Sequence, residues 1–250
     1  MIAGVLVGVV GVAGLGLRSV DRDGSAPPAA AAPLPVSAST AATSISTPPA
    51  VVAPPAEQPP ATRRPVAEPI TVPARGPGTY RHARLGLAAP RGSGRVIRFD
   101  VRVEKGLALD PKTVARQIHA TLADKRSWRA TDHVRFQLVS DPSRARLHAY
   151  VVTPRTTDRL CYPWMTRGQV SCQNGNRVVL NARRWVFGAK AYGKDVTSYR
   201  EYLVNHEFGH ALGYNHVRCH GKGRRAPVMM QQTKGLHGCR PNPWPAVARR

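Results

Sequence analysis

The sequence predicts a fold of the α/β (α+β) class, and three observations support this prediction. Residues 79–250 have the mixed composition of a globular domain, whereas the preceding stretch contains no aromatic residue. Within that domain, segments in which apolar and polar residues alternate are typical of half-buried strands. Other segments carry capping residues and apolar side chains at helical spacing. We see no internal repeat and expect one domain of about 170 residues, large enough to bury a sizeable core.

The chain begins with an apolar, uncharged segment, residues 1–17. This length is at the lower limit for a spanning helix, so we predict a membrane anchor or signal segment over residues 1–20. Arg18 and Asp21 follow in place of a small-x-small cleavage site, which favours an uncleaved anchor. A cleaved signal peptide, giving a secreted protein, is the alternative. Because no basic region precedes this segment, the reading frame could also start further upstream.

A linker is predicted between this segment and the domain. Residues 21–78 are rich in Pro, Ala, Ser and Thr and lack apolar periodicity. Such a stretch cannot bury enough apolar surface to offset the entropy cost of ordering, so we predict a disordered, semi-extended spacer.

The first strand and first helix of the domain are predicted from periodicity and capping. Residues 96–103 alternate apolar with charged side chains over most of their length, as a half-buried strand does. Asp110 suits an N-cap and Pro111 suits the first helical turn. The apolar stripe of this helix consists of Val114, Ile118 and Leu122.

Three further strands and a second helix complete the predicted order of elements. Residues 134–139 and 147–152 alternate again, and residues 178–181 indicate another strand, which we place at the edge of the sheet. Residues 198–201, Ser-Tyr-Arg-Glu, have the spacing of a capping box. We therefore predict a helix from about residue 199 to residue 212.

That second helix carries a pattern of metal-ligating residues. His206 and His210 are four residues apart and therefore share one helix face, where both imidazoles can bind one zinc ion. Gly213 can end the helix in the left-handed conformation, so that His216 returns as a third ligand. Three protein ligands leave one position for water, and Glu207 is placed to take a proton from it. The pattern indicates a zinc hydrolase.

The spacing His-Glu-x-x-His-x-x-Gly-x-x-His resembles the extended signature of the metzincin metallopeptidases. The resemblance implies a domain with a twisted mixed sheet, an active-site helix and a methionine turn. It also implies that the three histidines are ligands and that Glu207 is the general base. Met229 matches the methionine beneath the metal, with Met230 as the alternative. Many metzincins carry a tyrosine shortly after this methionine, whereas this chain has Gln231 and Gln232. From about residue 79 the chain is also similar to an actinobacterial family of exported metzincin-like proteins without an assigned function.

Four cysteines lie in the part of the chain that a targeting segment would export, which indicates two disulfides. Three pairings are possible. We favour Cys161–Cys172 and Cys219–Cys239 because each closes a local loop. The second disulfide would then join the segment after His216 to the segment after Met229.

The domain is strongly basic. Residues 79–250 contain 32 of the 37 Lys and Arg residues and 10 of the 14 Asp and Glu residues. The arginines are scattered rather than gathered on one helix or interleaved with aromatic residues, which argues against nucleic acid as a partner. Anionic envelope polymers or lipids are compatible with this charge.

These observations predict a zinc-dependent hydrolase, in the first place a metalloendopeptidase that acts on a peptide or protein outside the cytoplasmic membrane. The edge strand at residues 178–181 would align an extended substrate. Two alternatives share the same residues. One is a catalytically silent, zinc-stabilised module that binds the envelope through its basic surface, and the other is a zinc amidase that acts on a cell-wall linkage. The oligomeric state is not indicated by the sequence.

Overall fold

The computed structural model describes residues 70–247 of the 250-residue chain. The predicted membrane segment over residues 1–20 and most of the predicted linker lie outside the described residues, so both stay predictions. Among the described residues, no helix has the length and hydropathy needed to span a membrane.

One mixed sheet of six strands organises the described residues. The strands are β1 (Tyr80–His82), β2 (Arg95–Glu104), β3 (Val134–Leu138), β4 (Leu147–Val152), β5 (Cys172–Asn174) and β6 (Arg177–Asn181). Their order is β1-β2-β4-β6-β5, and β3 pairs with the first half of β2. Strands β2, β3, β4 and β6 run parallel, while β1 and β5 are antiparallel to their neighbours. The predicted fold class and mixed sheet are confirmed.

The strand predicted at residues 178–181 is present as β6, but its expected position at the sheet edge is wrong. β6 pairs with β4 on one side and with β5 on the other. A tight turn at Gly175, whose φ of 62° favours glycine, reverses the chain between β5 and β6. The strand at this edge of the sheet is therefore β5, which is only three residues long and has no alternating pattern of its own.

Four α-helices accompany the sheet in the described part of the chain. They are α1 (Pro111–Ala123), α2 (Pro154–Cys161), α3 (Ala182–Phe187) and α4 (Val196–Ala211). Helix α1 begins as predicted, because the Asp110 carboxylate accepts a hydrogen bond from the backbone N–H of Thr113. Its predicted apolar stripe is fully buried.

Helix α4 begins earlier than the sequence predicts. Asp195 is its N-cap, and the Asp195 side chain accepts a hydrogen bond from the backbone N–H of Ser198 at 2.9 Å. Ser198 therefore lies inside the first turn, and the prediction that residues 198–201 form a capping box at the helix start is wrong. Asp195 and Ser198 both suit an N-cap. A helix that begins at Asp195 has three more hydrogen-bonded residues than one that begins at Ser198.

The main core lies between one face of the sheet and helices α1 and α4. Phe208 of α4 contacts Phe99 and Phe136 edge-to-face, with ring centroids 5.5 Å and 5.2 Å away. A residue two positions along a helix is rotated by about 200°. Because Phe208 faces the sheet, His206 and His210 project from the opposite side of α4, away from the sheet.

The segment before β1 is fastened to the other face of the sheet by a buried carboxylate. Glu104 is fully buried and accepts hydrogen bonds from the backbone N–H groups of Gly78 and Thr153 and from the hydroxyl of Thr156, at 2.7–2.8 Å. The carbonyl of Ala74 accepts a hydrogen bond from a backbone N–H of α2. The folded part of the chain therefore begins before residue 79.

Candidate metal centre

Three histidines converge at the end of helix α4. His206 and His210 come from consecutive turns of the helix, which then ends, and Gly213 takes the left-handed conformation with φ of 98°. This reversal returns His216 to the same point. The nearest ring nitrogens of the three histidines all lie within 4.8 Å of one another, and the Nε2 atoms of His210 and His216 are 3.1 Å apart. This cluster could hold a metal ion.

Backbone carbonyls fix the orientation of two of these imidazoles. The Nδ1 atom of His206 lies 2.8 Å from the carbonyl oxygen of Val228, and that of His210 lies 2.7 Å from the carbonyl oxygen of Tyr214. An Nδ1–H that donates to a carbonyl leaves Nε2 as the free lone-pair nitrogen, which is the arrangement found in metal-ligating histidines. The donor set therefore fits a transition-metal ion.

The imidazoles are also in the protonation state that metal binding requires. Burial, reinforced by neighbouring imidazoles, lowers the pKa of His206 to about 3 and that of His216 to about 4. Burial lowers the pKa of His210 as well. All three rings are consequently neutral near pH 7, and a metal ion has no proton to displace.

Glu207 has a carboxylate oxygen without a partner. The residue is 4% exposed, and its Oε2 atom accepts no hydrogen bond from any described residue. Burial raises the pKa of Glu207 to about 8. An unpaired buried carboxylate is costly, and such groups mark functional sites when they line a cleft. Glu207 lines the same cleft as the three histidines.

This pKa gives a prediction for the metal-free protein. The Glu207 carboxyl ionises near 4.5 in an unfolded chain and near 8 in the folded one, so the folded state retains its proton over that window. Stability from this group is therefore lost as the pH rises from 4.5 to 8. We therefore compare the unfolding free energies of the metal-free Glu207→Gln variant and the metal-free wild type. The difference between them, in favour of the variant, should be roughly 3 kcal/mol larger at pH 8 than at pH 5. Urea unfolding of both proteins at pH 5 and pH 8 measures this change. A difference between variant and wild type that is the same at both pH values would contradict the prediction.

A turn at residues 227–230, which we call the methionine turn, contacts helix α4 next to the histidine cluster. The Met230 N–H donates to the carbonyl oxygen of Pro227, and the carbonyl oxygen of Met229 accepts from the N–H of Val217, next to His216. The Met229 sulfur lies so close to Gly209 of α4 that a Cβ there would be 2.4 Å from it. Met230 instead packs with Ala226 in a separate cluster. Met229 is thus the methionine whose side chain contacts Gly209 of helix α4.

Both favoured disulfides are present. Cys161 is bonded to Cys172 and Cys219 to Cys239, with Cα–Cα distances of 6.0 Å and 5.8 Å. The second bond joins the segment after His216 to the segment after the methionine turn, as predicted.

We therefore expect the double variant Cys219→Ala, Cys239→Ala to weaken metal retention and stability together. Closing a loop of this size contributes about 2–4 kcal/mol, and its loss also frees the segment that carries His216. Chelator competition and thermal unfolding measure the two effects. The matched variant Cys161→Ala, Cys172→Ala should lose stability while it holds metal as tightly as the wild type. Equal metal loss in both double variants would contradict the role of the Cys219–Cys239 disulfide in holding the segment that carries His216.

The cleft around the histidines has a volume of about 500 Å³, and two chemically different sets of residues line it. One set comes from β5 and the preceding loop and includes Trp164, Met165 and Gln173. The other set follows the methionine turn and includes Gln231 and Lys234, and we refer to the two sets as the two sides of the cleft. The Lys234 ammonium group lies 3.3 Å from the Gln231 side-chain oxygen.

The sequence pattern identified the three histidines and Glu207 but not these cleft-lining residues. Trp164 and Met165 lie inside the loop closed by Cys161 and Cys172, and two large apolar residues in a short disulfide loop were an available signal. Lys234 had no such signal, because its place in the cleft depends on the path of the chain after the methionine turn.

Comparison with protein families gives a match over most of the chain. A family model described as "Protein of unknown function (DUF3152)" matches residues 67–240, a range that includes the three histidines, Glu207 and both disulfides. Neither the curated proteins nor the solved structures give a match to this chain.

Proposed function

We propose that this chain, which belongs to the DUF3152 family, is a zinc-dependent hydrolase and specifically a metalloendopeptidase. One observation carries the proposal: a buried carboxylate oxygen without a partner, on Glu207, lies in the same cleft as three imidazoles that converge on one point. A purely structural zinc site has four protein ligands and no need for such a base. Three ligands and an adjacent base fit a catalytic site.

Each residue has a defined part in this reaction. His206, His210 and His216 would hold the ion, with the first two oriented by their Nδ1 hydrogen bonds. Bound zinc would supply Lewis acidity, which polarises a scissile carbonyl and acidifies water. The Oε2 atom of Glu207 accepts the proton of the attacking water and then donates it to the nitrogen of the leaving amine. A dication nearby also favours the ionised carboxylate, which offsets the effect of burial on the Glu207 pKa.

The edge strand β5 provides a place for an extended peptide. Its residues Cys172 and Gln173 line the cleft, and β5 pairs with β6 on one side only among the described strands. Backbone N–H and C=O groups on a free sheet edge can pair with an added strand. In this proposal β5, rather than residues 178–181, aligns the extended substrate.

The two disulfides support an extracytoplasmic site of action, because such bonds persist in oxidising compartments. Attachment through the N-terminal segment stays part of the proposal and depends on residues 1–20.

Metal analysis combined with an unbiased peptide digest tests the proposal. We expect the purified full-length chain to contain close to one zinc per molecule and to cleave members of a random peptide library, with mass spectrometry identifying the products. Chelation should abolish cleavage and added zinc should restore it. A zinc-loaded chain that leaves the whole library intact would contradict the peptidase assignment and favour the binding module or the cell-wall amidase.

A further inference from the structure

The loop that precedes β5 presents large apolar side chains to solvent at the mouth of the cleft. Tyr162, Trp164 and Met165 are 79%, 63% and 79% exposed. Among the described residues, seven large hydrophobic side chains are exposed, and three of them lie in this run of four residues. Trp164 and Met165 also line the cleft. A contiguous group of exposed apolar side chains is typical of an interaction surface, whereas single exposed apolar residues are common on any protein.

This apolar lip, residues 162–165, is held in place by several bonds. The Cys161–Cys172 disulfide closes the loop, and the N–H of Trp164 donates to the carbonyl oxygen of Cys161. The Asn174 side chain of β5 donates to the carbonyl oxygens of Leu160 and Tyr162, at 3.1 Å and 2.9 Å. The lip is therefore preorganised next to the edge strand, which reduces the ordering cost of binding a ligand there.

The second set of cleft-lining residues carries a positive charge. Lys234 is exposed, and its ammonium group donates a hydrogen bond to the neutral side chain of Gln231. Among the described residues that line the cleft, Glu207 is the one carboxylate, and it belongs to the proposed chemistry. From residue 208 to the end of the sequence there is no Asp or Glu. None of the ion pairs among the described residues involves Lys234, so a ligand in the cleft meets a cation without a carboxylate partner.

We propose that the cleft selects a polypeptide segment that carries a large apolar side chain for Trp164 and Met165 and a carboxylate for Lys234. This specificity rests on the proposed hydrolase function, because Trp164, Met165 and Lys234 line the same cleft as the three histidines, so a peptide bound there for hydrolysis contacts them. A single lysine matches a single anionic group, whereas a polyanionic polymer or a lipid surface would require a cluster of cations at the cleft. The free edge of β5 matches a polypeptide backbone.

Binding to a non-hydrolysing variant separates recognition from chemistry. The zinc-loaded full-length Glu207→Gln protein is titrated into pools of fluorescein-labelled octapeptides, with fluorescence anisotropy as the readout. Each pool fixes Phe or Ala at one position and Glu or Lys at another, at every relative spacing, with the other positions randomised. We expect the best Phe–Glu pools to bind about threefold to tenfold more tightly than the matching Phe–Lys and Ala–Glu pools.

Variants of the two sides of the cleft then test each contact. In the same background, Lys234→Glu should reverse the order of the Glu and Lys pools, and Lys234→Gln should remove the difference. Lys112→Glu, the same charge change on α1 and outside the cleft, should leave the order unchanged. Trp164→Ala with Met165→Ala should remove the preference for Phe, while Phe187→Ala, an exposed aromatic residue on α3 outside the cleft, should retain it.

The outcomes distinguish this proposal from the hydrolase function. An unchanged preference in the folded, zinc-loaded Lys234→Glu protein, or no preference between the parent pools, would overturn the specificity proposal. Tight, charge-selective binding by a chain whose wild type cleaves none of the bound peptides would uphold the recognition and reject the peptidase. Efficient cleavage of peptides without either preference would uphold the peptidase and reject the specificity proposal.

Discussion

Replacement of Glu207 by Gln should abolish hydrolysis while the zinc content stays close to one per chain. The residue lies one position after His206, about 100° round the helix, so its carboxylate is beside the ligand set rather than part of it. The amide has nearly the same size and cannot accept a proton at neutral pH. Loss of general-base assistance should reduce the rate by at least about 10²-fold. Metal content by mass spectrometry and single-turnover rates on a cleaved library peptide measure both effects.

Glu201→Gln is a suitable control for this substitution. Glu201 lies on the same helix, is partly buried and does not line the cleft, so its replacement should leave both metal and rate close to the wild type. If Glu207→Gln expelled the zinc, the carboxylate would be a ligand or would orient one. If the variant retained both the zinc and the wild-type rate, the hydrolysis would come from another site and the binding-module hypothesis would take its place.

The parts of this site that the sequence predicted are those determined by local spacing. Two histidines four residues apart, with a glycine three residues later, give the same geometry in any helix that ends at that glycine. The disulfides follow the same logic, because a loop of 11 or 20 residues brings its ends together at low entropic cost. Met229 was separable from Met230 only in the structure, where its sulfur packs against Gly209.

The features that the sequence did not predict depend on contacts between distant segments. Asp195 replaced the expected cap because both it and Ser198 suit an N-cap, and local sequence does not decide between two caps three residues apart. The edge of the sheet was misassigned because β5 is too short to show alternation and forms only by pairing with β6. The two sides of the cleft combine residues about 70 positions apart in sequence, such as Trp164 and Lys234, so no local pattern joins them.

His216→Ala should remove zinc and activity together. Of the alanine substitutions at the three histidines, this one should disturb packing the least. His206 is buried and bonded to the carbonyl oxygen of Val228, so its replacement would also leave a buried acceptor without a partner. His216 is exposed and lies after the end of helix α4. Two imidazoles hold zinc poorly, so occupancy should fall to near zero after dialysis.

Stability measurements on this variant isolate the contribution of the metal. A ligand present at 1,000 times its dissociation constant stabilises a folded protein by about 4 kcal/mol, and the His216→Ala protein should lose this increment. Its metal-free form should unfold at the same urea concentration as the metal-free wild type, because the fold does not depend on this exposed ring. His220→Ala is the matched control, since His220 is also exposed and lies four positions further along, outside the cluster. Full zinc occupancy in His216→Ala, or its loss in His220→Ala, would show that another residue supplies the third ligand.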